Sequence, residues 1–217
     1  MKIGRPWVHR VSFCVFGMLF AITGCASFQT TSEAQRGRRA LVLGQAEKAL
    51  AHFESVAEIN PNYRVNFSLW REGIWSYIGR AYYEAGQLGA AHKALDKAIS
   101  LGGQDHLARL YLGLVLARSG ESRRSFQEME KALQRIGEWL DYVERYNPSG
   151  KYWDPDQRLR AEIENNLAML SAEKPDTRKI IANVEWLGKE LEEEIDRARD
   201  EKIDDLFRRD GEGGGMS

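Results

Sequence analysis

The stretch between residues 75 and 133 repeats one pattern of small and apolar residues at a constant separation of 34 positions. The equivalent positions in the two copies are Gly79 and Gly113, Gly86 and Gly120, Ala98 and Ala132, Ile99 and Leu133. A weaker copy precedes them, in which Gly37 and Gly44 lie 42 positions before Gly79 and Gly86. A chain that repeats itself in this way must fold as a series of similar units, because each unit buries its apolar face only against its neighbours.

Each copy has the pattern of two helices joined by a tight turn. Gly86 follows a helical run, where a left-handed residue ends a helix at little cost to glycine. Gly79 lies within the first helix and allows the second helix to approach closely, near Ala91 or Ala98. The sequence therefore predicts three hairpins, with helices at about 31–43 and 46–59, 67–85 and 88–101, and 105–119 and 122–146. The extra residues of the first interval fall in 62–71 and are expected to lengthen a loop or the helix after it.

The period and the motif together resemble a known family. Trp75 followed by Ile78-Gly79 and Tyr82, with a repeat near 34 residues, is typical of the tetratricopeptide repeat (TPR). The resemblance implies an all-α solenoid of about three repeats, whose inner face is lined by the first helix of each hairpin and binds a peptide segment or helix of another protein. It implies these partner-binding groove residues: Arg38, Leu41, Ser76, Arg80, Tyr83, Glu84, Leu110, Leu114 and Arg118.

The three arginines of this groove suit an acidic partner, because a guanidinium forks onto a carboxylate. The alternative is that they are merely solvated. The carboxylate clamp of co-chaperone members of the family is not implied, since Tyr77, Leu107 and Tyr111 stand at three of its positions.

The N-terminus has the pattern of a bacterial lipoprotein signal. Basic residues precede an apolar run of 12 at 11–22, which is too short to span a bilayer. The run ends in Ile22-Thr23-Gly24-Cys25, which resembles the lipobox and implies cleavage after Gly24 and lipid attachment to Cys25. An ordinary secretory cleavage site and an uncleaved anchor are the alternatives. Ala26, in place of the aspartate that retains lipoproteins at the inner membrane, favours the periplasmic face of the outer membrane.

The remaining sequence predicts a helical extension after the repeats. We assign 1–24 to the signal peptide, 25–32 to a short membrane tether, 33–146 to the repeats, 147–209 to the extension and 210–217 to a disordered tail. Apolar seams at 126–143 and 180–198 have heptad-type spacing, and the extension is expected to cap the open end of the solenoid. The charged stretch 189–205 predicts a solvated helix face, with an acidic docking site as the alternative.

The aromatic residues favour packing over partner contact, although both interpretations stay open. Trp139, Tyr142, Tyr146, Tyr152 and Trp153 crowd around a predicted break at 147–150 and are expected to form a satellite core rather than an exposed patch. Trp70 is likewise expected to be packed rather than to contact a partner.

Composition excludes several classes of function. The formal net charge of −1 argues against nucleic acid as a main partner. The only cysteines are Cys14 and Cys25, the histidines His52, His92 and His106 are not paired for metal binding, and no phosphate loop or nucleophile motif occurs. We expect no cofactor and no enzymatic activity.

The sequence thus predicts a membrane-anchored periplasmic TPR lipoprotein that acts as a protein–protein interaction scaffold or assembly factor for a cell-envelope complex. The first alternative is a structural homo-oligomer that pairs through the two apolar seams. The second is a cell-wall-active enzyme, which would need carboxylates that converge in a cleft.

Overall fold

The computed structural model describes residues 28–67, 69–102 and 104–213, without the side chains of Phe67 and of 209–213. Its elements in chain order are α1 (28–42), α2 (Ala46–Ile59), β1 (Arg64–Phe67), β2 (Trp70–Gly73), α3 (Ile74–Glu84), α4 (Leu88–Leu101), α5 (His106–Arg118), α6 (Ser122–Tyr146), a 3₁₀ turn (Gly150–Tyr152), α7 (Arg158–Leu170) and α8 (Thr177–Gly213). The predicted signal peptide and the predicted lipidation site Cys25 lie outside the described residues. The first helix begins at residue 28, whereas the sequence predicted its start at about 31 and assigned 25–32 to a short membrane tether.

Helices α1 to α6 form three consecutive hairpins, and the predicted all-α helical-hairpin fold is confirmed. Within the second and third hairpins, α3 packs on α4 and α5 on α6, while α2–α3 and α4–α5 contacts join successive hairpins. The turn after α3 and the turn after α5 each contain a glycine in the left-handed region, as predicted, with φ of +73° at Gly86 and +85° at Gly120. Each hairpin therefore stacks on the next and shares its apolar core with it.

Two glycines allow the helices of a hairpin to approach closely, as predicted. A Cβ atom on Gly79 would lie 2.5 Å from Cγ of Leu95, and one on Gly113 would lie 2.6 Å from Cγ of Met129. The space that glycine leaves on the first helix is filled by a large side chain of the second helix. For Gly79 this side chain is Leu95, which lies between the expected positions Ala91 and Ala98 on α4.

The segment between the first and second hairpins forms a β-hairpin rather than a longer loop or helix. Strands β1 and β2 pair antiparallel, with Arg64 opposite Gly73 and Phe67 opposite Trp70. Along β2 the side chains alternate, since Trp70 and Glu72 are buried and Arg71 is exposed. This period of two belongs to a strand, and α3 consequently begins at Ile74 instead of 67.

The third hairpin is followed by a cap that differs in detail from the prediction. Helix α7 begins at Arg158 and packs against α6. The Asp154 carboxylate still serves the helix start, because it accepts hydrogen bonds from the backbone N–H groups of Leu159 (2.8 Å) and Arg160 (3.1 Å). Helix α8 continues to Gly213, past the predicted tail boundary at 210.

Helix α8 packs against the final hairpin, as expected of a cap, but it also crosses the first helices of the other two hairpins. Its buried apolar side chains are Ile180, Val184, Leu187, Leu191, Ile195 and Ala198. Polar contacts link it to α1, α3 and α5. Among the described residues, none of the helices has the length and apolar character that crossing a membrane requires.

Candidate functional site: the first-helix face and the α6 cleft

The predicted groove residues come together on one surface, which we call the first-helix face. It is formed by the sides of α1, α3 and α5 that meet α8. Six of the nine predicted residues are buried there: Arg38, Ser76, Arg80, Tyr83, Leu110 and Leu114. Leu41 is half-buried, whereas Glu84 and Arg118 are exposed.

A buried ion cluster holds the middle of α8 on this face. Arg38 donates to Glu192 (2.6 Å) and to the more exposed Asp196 (3.1 Å). Arg80 donates to Glu192 (2.5 Å) and to Glu72 (2.8 Å) of β2. Each guanidinium therefore meets two carboxylates, which offsets the cost of burying the charges.

A second contact holds α8 about two helical turns earlier. Glu185 accepts a hydrogen bond from the Tyr83 hydroxyl and one from Arg118 (2.5 Å), whose guanidinium stacks 4.5 Å from the centroid of the Tyr83 ring. At Gly188 the helix passes close to α5, since a Cβ atom there would lie 2.9 Å from the ring of Tyr111.

The environment of the buried cluster shifts the pKa values of its carboxyl groups in opposite directions. Burial raises the pKa of Glu72 to about 7; the opposing attraction of Arg80 is smaller, and the nearby Glu192 adds to the rise. Burial also acts on Glu192, but Arg80 and Arg38 together outweigh it, and the pKa of Glu192 is lowered. Glu192 is therefore the ionised partner that holds both arginines.

The first-helix face is consequently not an open groove, and the prediction of a free partner-binding surface there was wrong. Five buried Val, Leu or Ile side chains of α8 stabilise its position by about 8–15 kcal/mol in total, as an upper estimate. This is as large as the entire stability of a typical domain. Displacing α8 would expose this apolar surface and leave Arg38 and Arg80 without Glu192.

The sequence contained a signal for this contact that the charge-based interpretation of 189–205 missed. The four contact positions follow the apolar seam by one residue: Glu185, Gly188, Glu192 and Asp196 come directly after Val184, Leu187, Leu191 and Ile195. Carboxylates that border a buried seam at this spacing lie on the edge of the packed face and not on its solvated side. Glu192 is accordingly buried, whereas the stretch had been predicted to be solvated.

Comparison of this chain with protein-family models, with curated proteins and with solved structures finds no match. Its function must be inferred from its own residues and contacts.

A second candidate site is an open cleft along α6, which we call the α6 cleft. It has a volume of about 1170 Å³. Its lining residues are Leu69, Arg71, Gln104, His106, Arg109, Lys131, Arg135, Glu138, Trp139, Tyr142, Val143 and Asn147. They come from β2 and the loop before it, from the start of α5 and from α6, and none of them belongs to the predicted groove.

Basic side chains dominate the charge of this cleft. Arg109 and Lys131 both pair with Glu128, and Arg135 pairs with Glu138 (2.7 Å). Arg71 is exposed and forms no ion pair with a described residue. The sequence could not place these cations together, because they are spread over three elements.

An aromatic cluster forms one wall of the cleft. Trp139 packs edge-on against Trp70 (4.8 Å between ring centroids) and Trp153 (4.7 Å). Trp70 and Trp153 are buried, which confirms the satellite core, whereas Tyr142 and Tyr146 are 62% and 66% exposed. The aromatic residues thus divide between a core and a surface.

The histidines do not assemble into a metal site. The described part of the chain contains no group of three or more His, Cys, Asp or Glu side chains placed for a metal ion. His52 instead bonds to Glu33 (2.6 Å), and His92 lies 3.4 Å from Asp96. Burial lowers the pKa of His106, and Arg135 and Arg109 lower it further, which favours a neutral ring in the α6 cleft.

Proposed function

We propose that this chain is a TPR-type lipoprotein, anchored by lipid on Cys25 at the periplasmic face of the outer membrane. It acts as a scaffold or assembly factor that binds a peptide segment or helix of another cell-envelope protein. The lipobox-like sequence and the 34-residue repeat support this proposal. The observation that carries it is a stack of hairpins locked by its own α8, with a cleft of about 1170 Å³ left open beside it.

The partner site in this proposal is the α6 cleft and not the first-helix face. The first-helix face is covered by α8, and its residues Arg38 and Arg80 bind Glu192 of that helix. The cleft is preformed by helices and a β-hairpin, and a preformed surface binds with a smaller loss of conformational entropy.

The alternative of a homo-oligomer required the apolar seams of α6 and α8 to be free for pairing between chains. The seam residues Leu133, Ile136 and Leu140 of α6 are buried within one chain, as are those of α8. Exposed apolar residues remain at the far end of α8, where Leu206 and Phe207 are 52% and 74% exposed.

An enzyme is a weaker proposal for a related reason. The buried carboxylates Glu72 and Glu192 both bind Arg80 beneath α8, and a substrate would have to pass α8 to reach them. A third buried carboxylate near Glu72, Asp105, accepts hydrogen bonds from the backbone N–H groups of Gly73 (2.9 Å) and Ala108 (3.0 Å). In the α6 cleft the one lining carboxylate, Glu138, pairs with Arg135 on the surface.

Site-specific crosslinking in cells tests the proposed scaffold function. A photo-crosslinking amino acid at Tyr142, in the α6 cleft, should give a discrete adduct with another envelope protein. The same amino acid at Arg178, an exposed position on α8 outside the cleft, should give none. Identical adducts at both positions, or no adduct at either, would reject the proposal.

The membrane anchor is tested separately. A Cys25→Ser variant should lose its attached lipid and move from the membrane fraction to the soluble fraction after signal removal. Retention in the outer membrane without lipid would contradict this part of the proposal.

A further inference from the structure

The α6 cleft concentrates positive charge on a chain that is slightly negative overall. Four of its lining side chains are basic (Arg71, Arg109, Lys131 and Arg135), and one is acidic. Glu128 beneath Arg109 and Lys131 reduces the excess without removing it. The whole chain has a formal net charge of −1, so this excess is local.

The dimensions of the cleft suit a polypeptide better than a small molecule. Its volume of about 1170 Å³ exceeds the roughly 300–1,000 Å³ of ordinary ligand pockets. A side pocket of about 210 Å³ adjoins it, lined by Arg64 and Trp70 together with five residues that also line the cleft. A cleft of this volume with a side pocket can hold a segment of chain and one of its side chains.

The wall and the charges together define the chemistry of the occupant. Arg64 and Arg71 line the side pocket beside the Trp139 ring, so a carboxylate side chain there would meet positive charge from two arginines, of which Arg64 also attracts Asp105. Arg71 has no described ion-pair partner that a ligand would have to displace. Tyr142 offers an exposed ring for an apolar or aromatic neighbour of that carboxylate.

We propose that the α6 cleft docks an extended, acidic segment of the partner protein, with carboxylate side chains directed at Arg64, Arg71 and Arg135. This inference rests on the proposed scaffold function and specifies the chemistry of the partner.

A peptide fits the cleft better than the other two polyanions that a basic surface attracts. A flat membrane surface cannot enter the side pocket beside Trp139, whose ring is partly buried. Nucleic acid would bring regularly spaced phosphates close to Glu128 and Glu138, which repel them. A peptide can place its acidic residues at selected positions only.

Binding of a labelled poly-glutamate peptide to the full-length protein in detergent solution tests this inference. Fluorescence anisotropy should show saturable binding that weakens with added salt, because exposed charges are screened. The double variant Arg71→Glu with Arg135→Glu should bind about tenfold more weakly. The double variant Arg123→Glu with Arg178→Glu, which changes the net charge equally outside the cleft, should bind as tightly as the unmodified protein.

Three results would overturn the inference. The first is equal loss of binding in both double variants, which would indicate a general charge effect. The second is tighter binding of a poly-lysine peptide than of poly-glutamate. The third is binding to phosphatidylglycerol vesicles that requires Arg71 and Arg135 while poly-glutamate binding does not, which would make the cleft a lipid-contacting surface.

Failure of this inference and failure of the proposed function remain distinguishable. If Tyr142 crosslinks a partner in cells but the peptide does not bind, the scaffold function survives and the acidic chemistry is wrong. If the peptide binds but no partner is crosslinked, the cleft chemistry survives without the scaffold function.

Discussion

At the scale of single residues, Glu72 is the most unusual group in the molecule. It lies on a strand yet is fully buried, and it shares Arg80 with Glu192. Its Oε2 atom has no hydrogen-bond partner in the described part of the chain. A buried carboxyl group that is only half satisfied is stabilised by keeping its proton.

Replacing Glu72 by glutamine should flatten the pH dependence of stability. The folded-state pKa near 7 lies above the ordinary value of 4.5, so the folded form retains the proton longer than the unfolded chain does. The free energy of unfolding should therefore fall as pH rises from 4.5 to about 7, by up to about 3 kcal/mol. Urea unfolding at several pH values should show this fall in the unmodified protein and a smaller one in Glu72→Gln.

Two other carboxyl groups with shifted pKa values also affect how stability depends on pH. The pKa of Asp105 is raised by burial and contributes to the slope in both proteins. Because the pKa of Glu192 is lowered, the free energy of unfolding should also fall when the pH drops below 4.5, the ordinary pKa of a glutamate. The exposed Glu138→Gln variant is the control and should keep the full slope. An identical slope in Glu72→Gln would show that Glu72 does not titrate in this range.

Gly79 and Gly89 offer a matched pair of helical glycines. Alanine at Gly79 would bring its Cβ atom within 2.5 Å of Leu95 and 3.2 Å of the Leu95 backbone nitrogen, so the helices must separate. We expect the Gly79→Ala change to destabilise the protein by about 1–3 kcal/mol. Gly89 has nothing within 4 Å of an added Cβ atom, and its change to alanine should stabilise α4 by up to about 1 kcal/mol. Thermal unfolding of both variants measures the difference, and a shared sign would refute the packing argument.

At the scale of elements, the helices themselves could be predicted from the sequence, but their partners could not. The predicted spans of α2, α4 and α6 match the structure, because apolar periodicity and the turn glycines Gly86 and Gly120 are local signals. The β-hairpin at 64–73 was missed, since two strands of four residues are too short for a clear alternation.

The site was harder to predict for a related reason. The predicted groove residues do share one face, as the repeat spacing requires. Their partner is the distant helix α8, since Arg118 and Glu185 are separated by 67 residues and Arg80 and Glu192 by 112. The α6 cleft depends on Arg71 of β2 lying beside Arg135 of α6, and no local pattern reports that proximity.

Two truncations of α8 should show that its buried first part is needed for folding and that its exposed C-terminal part is not. A chain that stops after Asp176 loses every buried apolar residue of α8 and exposes Arg38 and Arg80, so it should lose its cooperative thermal transition. A chain that stops after Arg199 keeps that buried set and loses the contacts of Asp205 with Lys151 and Tyr152. It should fold, with a Tm lower by a few degrees. Circular dichroism during heating compares the two, and stable folding of the shorter chain would contradict the packing role of α8.

At the scale of the whole molecule, α8 changes how a stack of repeats responds to denaturant. In an open solenoid each repeat contacts only its neighbours, and unfolding can spread from one end. Here Arg38 of the first hairpin and Arg80 of the second bind the same carboxylate, Glu192. The third hairpin joins through Arg118 and Glu185. All three hairpins thus share one element.

We therefore expect the hairpins to unfold together. Tryptophan fluorescence and circular dichroism should give coincident urea transitions, as two-state unfolding requires. In a Glu192→Ala variant the two arginines lose their shared partner, which should cost about 3–5 kcal/mol, and the two transitions should separate. Coincident curves in both proteins would show that the apolar packing of α8 alone links the hairpins.

The position of α8 at the C-terminal end of the described chain also determines the order in which the molecule is completed. The chain is synthesised from its N-terminus, and earlier segments can begin to fold before later ones exist. All three hairpins therefore emerge before the helix that covers them, and for that interval Arg38 and Arg80 lack Glu192. A nascent chain halted before residue 177 would carry two uncompensated arginines and an uncovered apolar surface. Such a chain would expose apolar surface of the kind that chaperones and proteases recognise, so completion of the fold depends on α8.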